Sequence, residues 1–362
     1  MGSTLMQRLI EHPDAKVVAL YQRSRENAVA TLEEMGLPAS AYHDDYAEML
    51  ANPEVDAVFL CSPNSSHGPQ SIAAMEAGKH VFCEKPCSTT FADFERQLEL
   101  AKAYPKLITY VNYLLNFDPM EQRLLKMVKG GTFGTITQLQ VNYRHPINIS
   151  DDKVWKLSRE IMGDAIGMGI IHALSVMLNI MAAQGAKPVR VYATSGGEKT
   201  RPFEVDAIYN IQVEFSNGAS GCSLGNVDQA NGYDAYHNLH GTKGGFIFDS
   251  YLERSHKVRY WSESETDGKW VRPLDPASSS EHFWGEETTT PDSGDVMQHQ
   301  TGSCVEHFIG CVRSGEQSFL GFENSASTAE LGWGILLSVA TGAPVDLPLD
   351  REIARAHFDD ES

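Results

Sequence analysis

The chain has no long hydrophobic run, few cysteines and no recognisable export signal. No apolar stretch of about 18 residues is present, so the sequence indicates no membrane-spanning helix. The first residues, Met1 to Leu5, lack the basic and apolar regions of a secretory signal peptide. The six cysteines are scattered over 362 residues, which is typical of reduced thiols rather than of a disulfide framework. These absences predict a cytoplasmic protein.

Basic residues are scarce as well. The chain has 29 Lys and Arg against 48 Asp and Glu, which gives a formal net charge of −19. Such a chain repels phosphates, so nucleic acid and anionic membranes are not expected as partners. With 362 residues, 42% of them hydrophobic, the chain is long enough for two domains, each with its own core.

The first 110 residues show strands alternating with helices. The predicted strands are 17–20, 57–60, 81–83 and 107–111, and the predicted helices are 5–12, 26–35, 46–50, 70–77 and 91–103. Continuous apolar strands separated by helices predict a parallel sheet built from right-handed βαβ units. We therefore expect an α/β domain over residues 1–110, with its ligands at the carboxyl ends of the strands.

Residues 111–362 show a different pattern of predicted strands and helices. Alternating strands are predicted at 138–143, 189–194, 207–215, 221–227 and 245–248, with helices near 119–129, 164–182 and 302–314. This pattern predicts a second α/β domain with one large, open and mostly antiparallel sheet, through which the chain forms a homo-oligomer. A surface loop is expected over Asp275–Asp295, and a solvated tail over Asp359–Ser362.

The G-x-G-x-x-G turn that usually opens a dinucleotide-binding sheet is missing. Gly2 takes the place of the third glycine of that turn, and the strand and two glycines before it are absent. Because this strand is central in such sheets, its absence predicts an empty position and unpaired backbone groups on its two neighbours. We expect a start site placed too far downstream or a fragment; the alternative is a protein that binds no cofactor.

The most informative motif is Ala77-Gly78-Lys79-His80-Val81-Phe82-Cys83-Glu84-Lys85-Pro86. It resembles the A-G-K-H-V-x-x-E-K-P signature of the glucose–fructose oxidoreductase/inositol dehydrogenase (Gfo/Idh/MocA) family of nicotinamide-dependent enzymes. The resemblance implies that Lys85 serves catalysis and cofactor binding, beside Glu84, and that the Lys85–Pro86 peptide is cis. Segments 239–245 and 331–348 resemble that family's hairpin turn and closing helix.

Two further segments are expected to contact the cofactor. Gln22 occupies the usual position of a ribose-binding acid, and Arg23 and Ser24 beside it favour the 2′-phosphate of NADP over NAD, although an exposed loop arginine is the alternative. The segment Ser62-Pro63-Asn64-Ser65-Ser66-His67 resembles the family's T-P-N-x-x-H motif next to the nicotinamide ribose. Part of that signal is also what a helix N-terminus requires.

The segment from Trp155 to His172 resembles the family's W-R…G-G-A-L-G-D-I-G-S-H block. This resemblance places Trp155 near the cofactor and assigns His172 as the acid–base residue. The chain departs from the block, because Met168 replaces an Asp, Ile170 a Gly, Ser175 an Asp and Lys156 an Arg. At Leu115 and Asn116, where the family commonly has an Arg, no cation is present, which predicts a less basic pocket. Tyr113, Tyr143 and Arg144 are further candidates for substrate binding.

The resemblance implies hydride transfer between a nicotinamide, NAD or NADP, and a secondary alcohol of a small carbohydrate-like substrate. Lys85 would stabilise charge on the reacting oxygen, and His172 would transfer the hydroxyl proton. Two alternatives remain open: a glycosidase that uses transient oxidation by the same cofactor, and a catalytically silent binding or regulatory protein. Histidines three apart in a strand face opposite sides, so His237 and His240 do not predict a metal site.

Overall fold

A computed structural model describes residues 1–228, 234–285 and 300–358, except for the side chains of Asp151 and Asp152. The chain divides into two compact units. Unit 1 comprises Met1–Asn112 and Gln300–Ala326, and unit 2 comprises Tyr113–His299 and Ser327–Ser362. The first boundary lies close to the expected residue 110. Residues 300–326, however, were placed in the second domain by the sequence and pack with the first in the structure.

Unit 1 is built from short parallel strands and surrounding helices. Its elements are α1 (Gly2–Glu11), β1 (Leu20–Tyr21), α2 (Arg25–Glu34), β2 (Tyr42–His43), α3 (Tyr46–Ala51), β3 (Ala57–Leu60), α4 (His67–Glu76), β4 (His80–Cys83), α5 (Phe91–Ala103), β5 (Thr109–Val111) and α10 (Thr301–Ser314). Polar side chains begin several helices: Ser24, Asp45 and Thr90 accept backbone N–H groups in the first turns of α2, α3 and α5.

The parallel strands of unit 1 form two separate sheets. β1 pairs with β2, and β3, β4 and β5 form a second sheet in that order. Within unit 1, no described strand pairs with both β1 and β3, so the two sheets are separate. The strand predicted at 17–20 is wrong for residues 17–19. The observed strand pairs on one side, and that pairing is two residues long, Leu20–Tyr21 with Tyr42–His43.

The helix α10 returns to unit 1 and completes its core. Phe308 meets the rings of Phe59, Phe82 and Tyr110, with centroid distances of 5.3 to 6.1 Å. On the surface, α10 is tied to the end of α1 because Glu306 contacts His12 at 2.8 Å and Arg313 pairs with Asp14. Aromatic packing on the sheet therefore explains why α10 belongs to unit 1 although it lies late in the sequence.

Unit 2 carries a nine-stranded sheet. Its strands are β6 (Ile136–Val141), β7 (Tyr143–Arg144), β8 (Pro188–Ser195), β9 (Ile208–Phe215), β10 (Ser220–Asn226), β11 (His237–Gly241), β12 (Gly244–Phe248), β13 (Val258–Ser262) and β14 (Val345–Asp346). Its helices are α6 (Pro119–Lys129), α7 (Arg159–Met162), α8 (Ile171–Ala182), α9 (Arg254–Lys257), α11 (Ala326–Thr341) and α12 (Arg351–Phe358). The strand order is β13-β12-β11-β6-β10-β9-β8-β14, and β7 pairs with β10.

The sheet is mostly antiparallel, as predicted, with parallel pairing of β10 to β6 and β7. The expected hairpin turn at 239–245 joins β11 to β12. One face packs on α8, where a Cβ at Gly221 would lie 2.9 Å from the sulfur of Met177. β9 shows the resulting alternation, because Tyr209, Ile211, Val213 and Phe215 are buried while Asn210, Gln212 and Glu214 are exposed.

Several elements were not predicted. The short strands β2, β7 and β14, the edge strand β13 and the helix α12 carry weak local signals. The helix expected over 164–182 is instead a π-helical turn, Ile166–Ile170, followed by α8. The expected loop 275–295 has neither helix nor strand up to residue 285; its remainder and the tail 359–362 lie outside the described residues. Among the described helices, none has the length and hydropathy needed to cross a bilayer.

Candidate active site

The turn after β4 places a cation beside a carboxylate. Glu84 is 7% exposed, and its Oε1 accepts a hydrogen bond of 2.7 Å from Nδ2 of Asn112. The Lys85–Pro86 peptide is cis, as the motif implied. Burial lowers the pKa of Lys85 and raises that of Glu84, and in each case the charge of the other residue opposes the shift. The turn therefore holds a half-buried ammonium group next to a buried carboxylate.

His67 braces this turn from within. Its ring nitrogens lie 2.7 Å from the carbonyl oxygen of Pro86 and 2.9 Å from that of Ser62, so the imidazole links the ends of β4 and β3. Burial, supported by the nearby charge of Lys85, lowers the pKa of His67 to about 4. The ring is 1% exposed. His67 is therefore an internal support of the turn, and its expected contact with the cofactor stays a prediction.

The candidates at the end of β1 lie at the surface of unit 1. Arg23 is exposed, and Gln22 and Ser24 are half-buried. The hydroxyl of Ser24 accepts the backbone N–H of Asn27 at 3.3 Å, so Ser24 also caps α2. At the end of β3, Ser62 donates to Oε1 of Gln70 at 2.7 Å, a partner that the sequence did not suggest. Pro63 is half-buried, and Asn64 is buried in a 3₁₀ turn that leads into α4.

The residues at these strand ends fit a dinucleotide. The helix α1 begins at Gly2 without a side-chain cap, so its first N–H groups point to a place where a phosphate is favourable. A Cβ at Gly2 would lie 3.5 Å from the Cβ of Cys61, which puts this helix start next to the end of β3. With the ammonium of Lys85 after β4 and the guanidinium of Arg23 after β1, the donors suit an anionic ligand.

In unit 2, His172 lies in the first turn of α8, directly after the π-helical turn. The ring is 5% exposed and packs against Tyr143, with centroids 5.7 Å apart. Gly169 permits this approach, since a Cβ there would come within 3.0 Å of the Tyr143 ring. Asp164 stabilises the turn by accepting the N–H of Gly167 at 2.7 Å. Single π-helical turns are frequent at functional sites, so the local backbone favours a functional role for His172.

The departures from the family motif have partners in this chain. Ile170 fits because β10 has a glycine opposite it: a Cβ at Gly225 would lie 2.5 Å from Ile170 Cδ1. Asn116 donates to the hydroxyl of Ser175 at 2.8 Å, so two replaced positions contact each other. Asn116 and Leu115 are 2% and 6% exposed. The residue that replaces the cation thus packs against α8, and the expectation of a less basic pocket stays a prediction.

Of the three residues expected to bind substrate, Tyr143 is the one that contacts His172 in the described structure. Tyr143 packs on His172, whereas Tyr113 is 1% exposed and Arg144 pairs with the buried Asp234. Trp155 lies in a 3₁₀ helix that belongs to unit 2. The other expected cofactor contacts all belong to unit 1. Among the described residues, no group of three or more His, Cys, Asp and Glu side chains is placed to hold a metal ion.

His145 is a residue that the sequence reasoning missed. Its ring centroid lies 6.0 Å from that of Tyr143, whose ring also packs against His172. The sequence did contain a signal for His145, because it follows Tyr143 by two residues and residues two apart in an extended segment point to the same side. Arg201 was missed as well; it donates to the carbonyl oxygens of Ile147 and Val227 and to Asp228, and so ties the segment after Tyr143 to the end of β10.

Comparison with known proteins supports the motif-based resemblance. Residues 1–113 match the model of an oxidoreductase family with an NAD-binding Rossmann fold, and residues 122–247 match the GFO/IDH/MocA C-terminal domain. The chain is 29% identical over 245 residues to the uncharacterized oxidoreductase YrbE of Bacillus subtilis (strain 168), an alignment that covers 67% of this chain and 68% of YrbE. It is 30% identical over 233 residues to myo-inositol 2-dehydrogenase of Thermotoga maritima, covering 63% and 66% of the two chains.

The fold extends over nearly the whole chain. A levoglucosan dehydrogenase solved in complex with NADH and levoglucosan superposes with a TM-score of 0.78 at 20% identity, covering 96% of this chain and 95% of the other. The two family models together match well over half of the chain, with residues in both units. The cofactor class expected from the motifs, a nicotinamide dinucleotide, agrees with the NAD-binding family. The chain therefore belongs to the Gfo/Idh/MocA family of oxidoreductases.

Proposed function

We propose that the chain is a nicotinamide-dependent dehydrogenase that oxidises or forms a secondary alcohol on a sugar, cyclitol or glycoside. The observation that carries the proposal is the Glu84-Lys85-Pro86 turn, in which a half-buried lysine is held beside a buried carboxylate at the carboxyl end of β4. The inositol and levoglucosan dehydrogenases among its relatives support the substrate class.

Lys85 has the properties of a group that stabilises developing negative charge. Its surroundings are partly dehydrated, which strengthens an electrostatic interaction with an oxygen placed beside it. The supports of the turn, Asn112 on Glu84 and His67 on Pro86, keep the ammonium from having to reorganise. We propose that Lys85 donates a hydrogen bond to the reacting oxygen of the substrate.

His172 is proposed as the proton acceptor in oxidation and the proton donor in reduction. Its ring is orientated by Tyr143, and the π-helical turn before it fixes the start of α8. A neutral imidazole accepts the hydroxyl proton through a ring nitrogen. Tyr143 and His145 are proposed to line the substrate side of this ring.

The cofactor, when bound, supplies the hydride chemistry at its nicotinamide ring. We propose that the start of α1 at Gly2 faces the pyrophosphate, and that Gln22, Arg23 and Ser24 meet the adenosine ribose. Because Arg23 is exposed and forms no ion pair within the described residues, its guanidinium is free to bind a 2′-phosphate. This arrangement favours NADP.

The test is a substrate screen with substitutions at both proposed groups. The full chain is incubated with NAD or NADP and a panel of inositols, aldoses and anhydrosugars, while reduced nicotinamide and released sugar are measured. Lys85→Ala and His172→Ala are each expected to lower kcat by roughly 10²-fold or more, since each removes a group used in the transition state. Lys102→Ala, which removes an exposed lysine of α5, serves as the control.

Several outcomes would contradict the proposal. Near wild-type turnover of Lys85→Ala, with unchanged circular dichroism, would exclude Lys85 from the chemistry. Release of free sugar without net reduction of the cofactor would identify a glycosidase instead. Binding of sugars without any turnover, in the presence of bound cofactor, would indicate a silent binding protein.

A further inference from the structure

At the β13 edge of the large sheet, unit 2 has a cavity of about 560 Å³ that the proposed dehydrogenase site does not use. Arg259 of β13 lines it together with Trp270, Arg272, Asp275, Ser279 and His282. A volume of this size is in the range of small-molecule sites, roughly 300–1,000 Å³. The chain's net charge of −19 makes a cavity with two arginines unusual on this molecule.

The backbone explains why the two arginines are neighbours. Tyr260 and Val271 form an antiparallel bridge, with N–H···O distances of 2.9 and 3.1 Å in the two directions. Arg259 precedes Tyr260 and Arg272 follows Val271, so they occupy directly opposite positions on the other face of this bridge. Tyr260 itself packs on Trp284 at 5.3 Å. Two like charges placed directly opposite each other are destabilising unless an anion lies between them.

Neither guanidinium is neutralised in the described part of the chain. Arg259 lies over the ring of Trp270 at 5.5 Å, and no ion pair is formed by Arg259 or Arg272 with a described acidic residue. The single acid of the lining, Asp275, accepts the N–H of Ala277 at 2.9 Å and thereby closes a local turn. By contrast, Arg190 of β8 in the same sheet pairs with both Asp346 and Glu214.

We propose that this cavity binds a small phosphomonoester. Two guanidinium groups match the oxygens of a phosphate through paired, charge-assisted hydrogen bonds, and Ser279 and His282 supply further polar groups. The cavity is larger than a phosphate group requires, and Trp270, which is 48% exposed, offers a flat apolar surface to the organic part of the ligand. The site is independent of the dehydrogenase chemistry.

The experiment is calorimetric titration of the full chain with inorganic phosphate, glucose 6-phosphate and glucose at constant ionic strength. Wild type is expected to bind glucose 6-phosphate more tightly than phosphate. Arg259→Gln and Arg272→Gln are each expected to weaken the Kd for both by about tenfold or more, and Arg272→Lys by less, because lysine keeps the charge without the bidentate geometry.

Two control variants separate this cavity from other anion sites. Arg190→Gln, which removes an exposed arginine of the same sheet, is expected to leave the Kd unchanged, as is Arg23→Gln, which alters the proposed cofactor site. Absence of binding at millimolar phosphate would overturn the proposal, as would loss of binding in Arg23→Gln with retention in Arg259→Gln. A change of oligomeric state in the two cavity variants, without a change in the Kd, would assign the arginines to a protein interface and also overturn it.

Discussion

Glu84 and Lys85 illustrate how one pair of side chains is tuned by burial. Removal from water disfavours both charged forms, so burial raises the pKa of Glu84 and lowers the pKa of Lys85. In each case the opposite charge of the neighbour reduces the shift. Asn112 adds a hydrogen bond that favours the Glu84 carboxylate. The ammonium of Lys85 thus depends on its neighbour for its charge as well as for its position.

Replacing Glu84 by Gln tests this dependence. Glutamine keeps an oxygen for the Asn112 amide but removes the negative charge, so the pKa of Lys85 is expected to fall further. The ammonium is then lost at a lower pH, and the basic limb of the kcat/KM profile moves to lower pH than in wild type. Glu76→Gln, which removes an exposed partner of Arg96, is the control. An unmoved basic limb would show that Glu84 does not tune Lys85.

Arg23 is the residue on which the proposed NADP preference rests. Arg23→Ala is expected to weaken NADP binding by about tenfold or more and to leave NAD binding nearly unchanged, because only NADP carries the 2′-phosphate. The Kd values for both dinucleotides, measured by fluorescence titration, check this. Arg25→Ala, which removes the exposed arginine that lies over Tyr42, is the matched control. Tighter binding of NAD than of NADP by wild type would reject the assignment.

At the scale of elements, the start of α6 meets β11 in a buried cluster of three ionisable groups. Asp118 caps α6 by accepting the N–H of Met120 at 2.9 Å, and Glu121 lies 2.6 Å from Nε2 of His237. Burial, followed by the charge of Glu121, raises the pKa of Asp118 to about 7. For His237, burial lowers the pKa, but the pairing with Glu121 outweighs it and the pKa is raised. The folded state therefore binds protons here more tightly than the unfolded chain.

This cluster predicts a pH dependence of stability. Because both pKa values are raised in the folded state, the stability that the two groups contribute is present at low pH and falls as the pH rises, for Asp118 between 3.8 and about 7. Asp118→Asn keeps a capping oxygen and cannot ionise. The variant is expected to gain stability relative to wild type between about pH 5 and about pH 8, by up to about 3 kcal/mol.

Urea-induced unfolding followed by circular dichroism at both pH values measures the difference. Asp45→Asn is the control, since Asp45 caps α3 by accepting the N–H of Glu48 at 2.9 Å in an exposed position. A difference between Asp118→Asn and wild type that does not change with pH would exclude Asp118 as the titrating group.

At the scale of the whole molecule, the uncovered face of the nine-stranded sheet is the feature left without an assigned role. The register aligns Tyr192, Gln212, Cys222, Gln140, Asn238 and Ile247 in one row across six strands, β8 to β12 with β6, apart from the cavity at β13. Leu224 and Trp261 lie on the same face and are half-buried. Amide and apolar side chains without a charged centre suit contact with another protein surface. We propose that a second copy of the chain covers this face.

Ile247→Asp tests this assembly. A charge in the row is expected to disfavour the contact, so that the variant elutes as a smaller species than wild type in size-exclusion chromatography with light scattering. Ile353→Asp, which places the same charge at a 59% exposed position of α12, is expected to elute like wild type. A monomeric wild type, or an unchanged assembly in Ile247→Asp, would contradict the proposal.

Much of the local structure was predictable because its signals are local. The bounds of α5 and α6, Phe91–Ala103 and Pro119–Lys129, agree with the sequence prediction, since Thr90 and Asp118 mark the first turns. The strand Ala57–Leu60 and the cis peptide at Lys85–Pro86 agree as well. Caps, alternation and one specific motif depend on residues a few positions apart, so the sequence by itself determined these elements and the family.

Only the tertiary structure decided what depends on distant residues. It joined α10 to unit 1 and turned His67 inwards to brace the turn at Lys85. It also paired Asn116 with Ser175 and Ile170 with Gly225. Each of these arrangements follows from packing or hydrogen bonding between segments far apart in the chain. No local pattern encodes such contacts, because the physical partner of each residue is chosen only when the chain is folded.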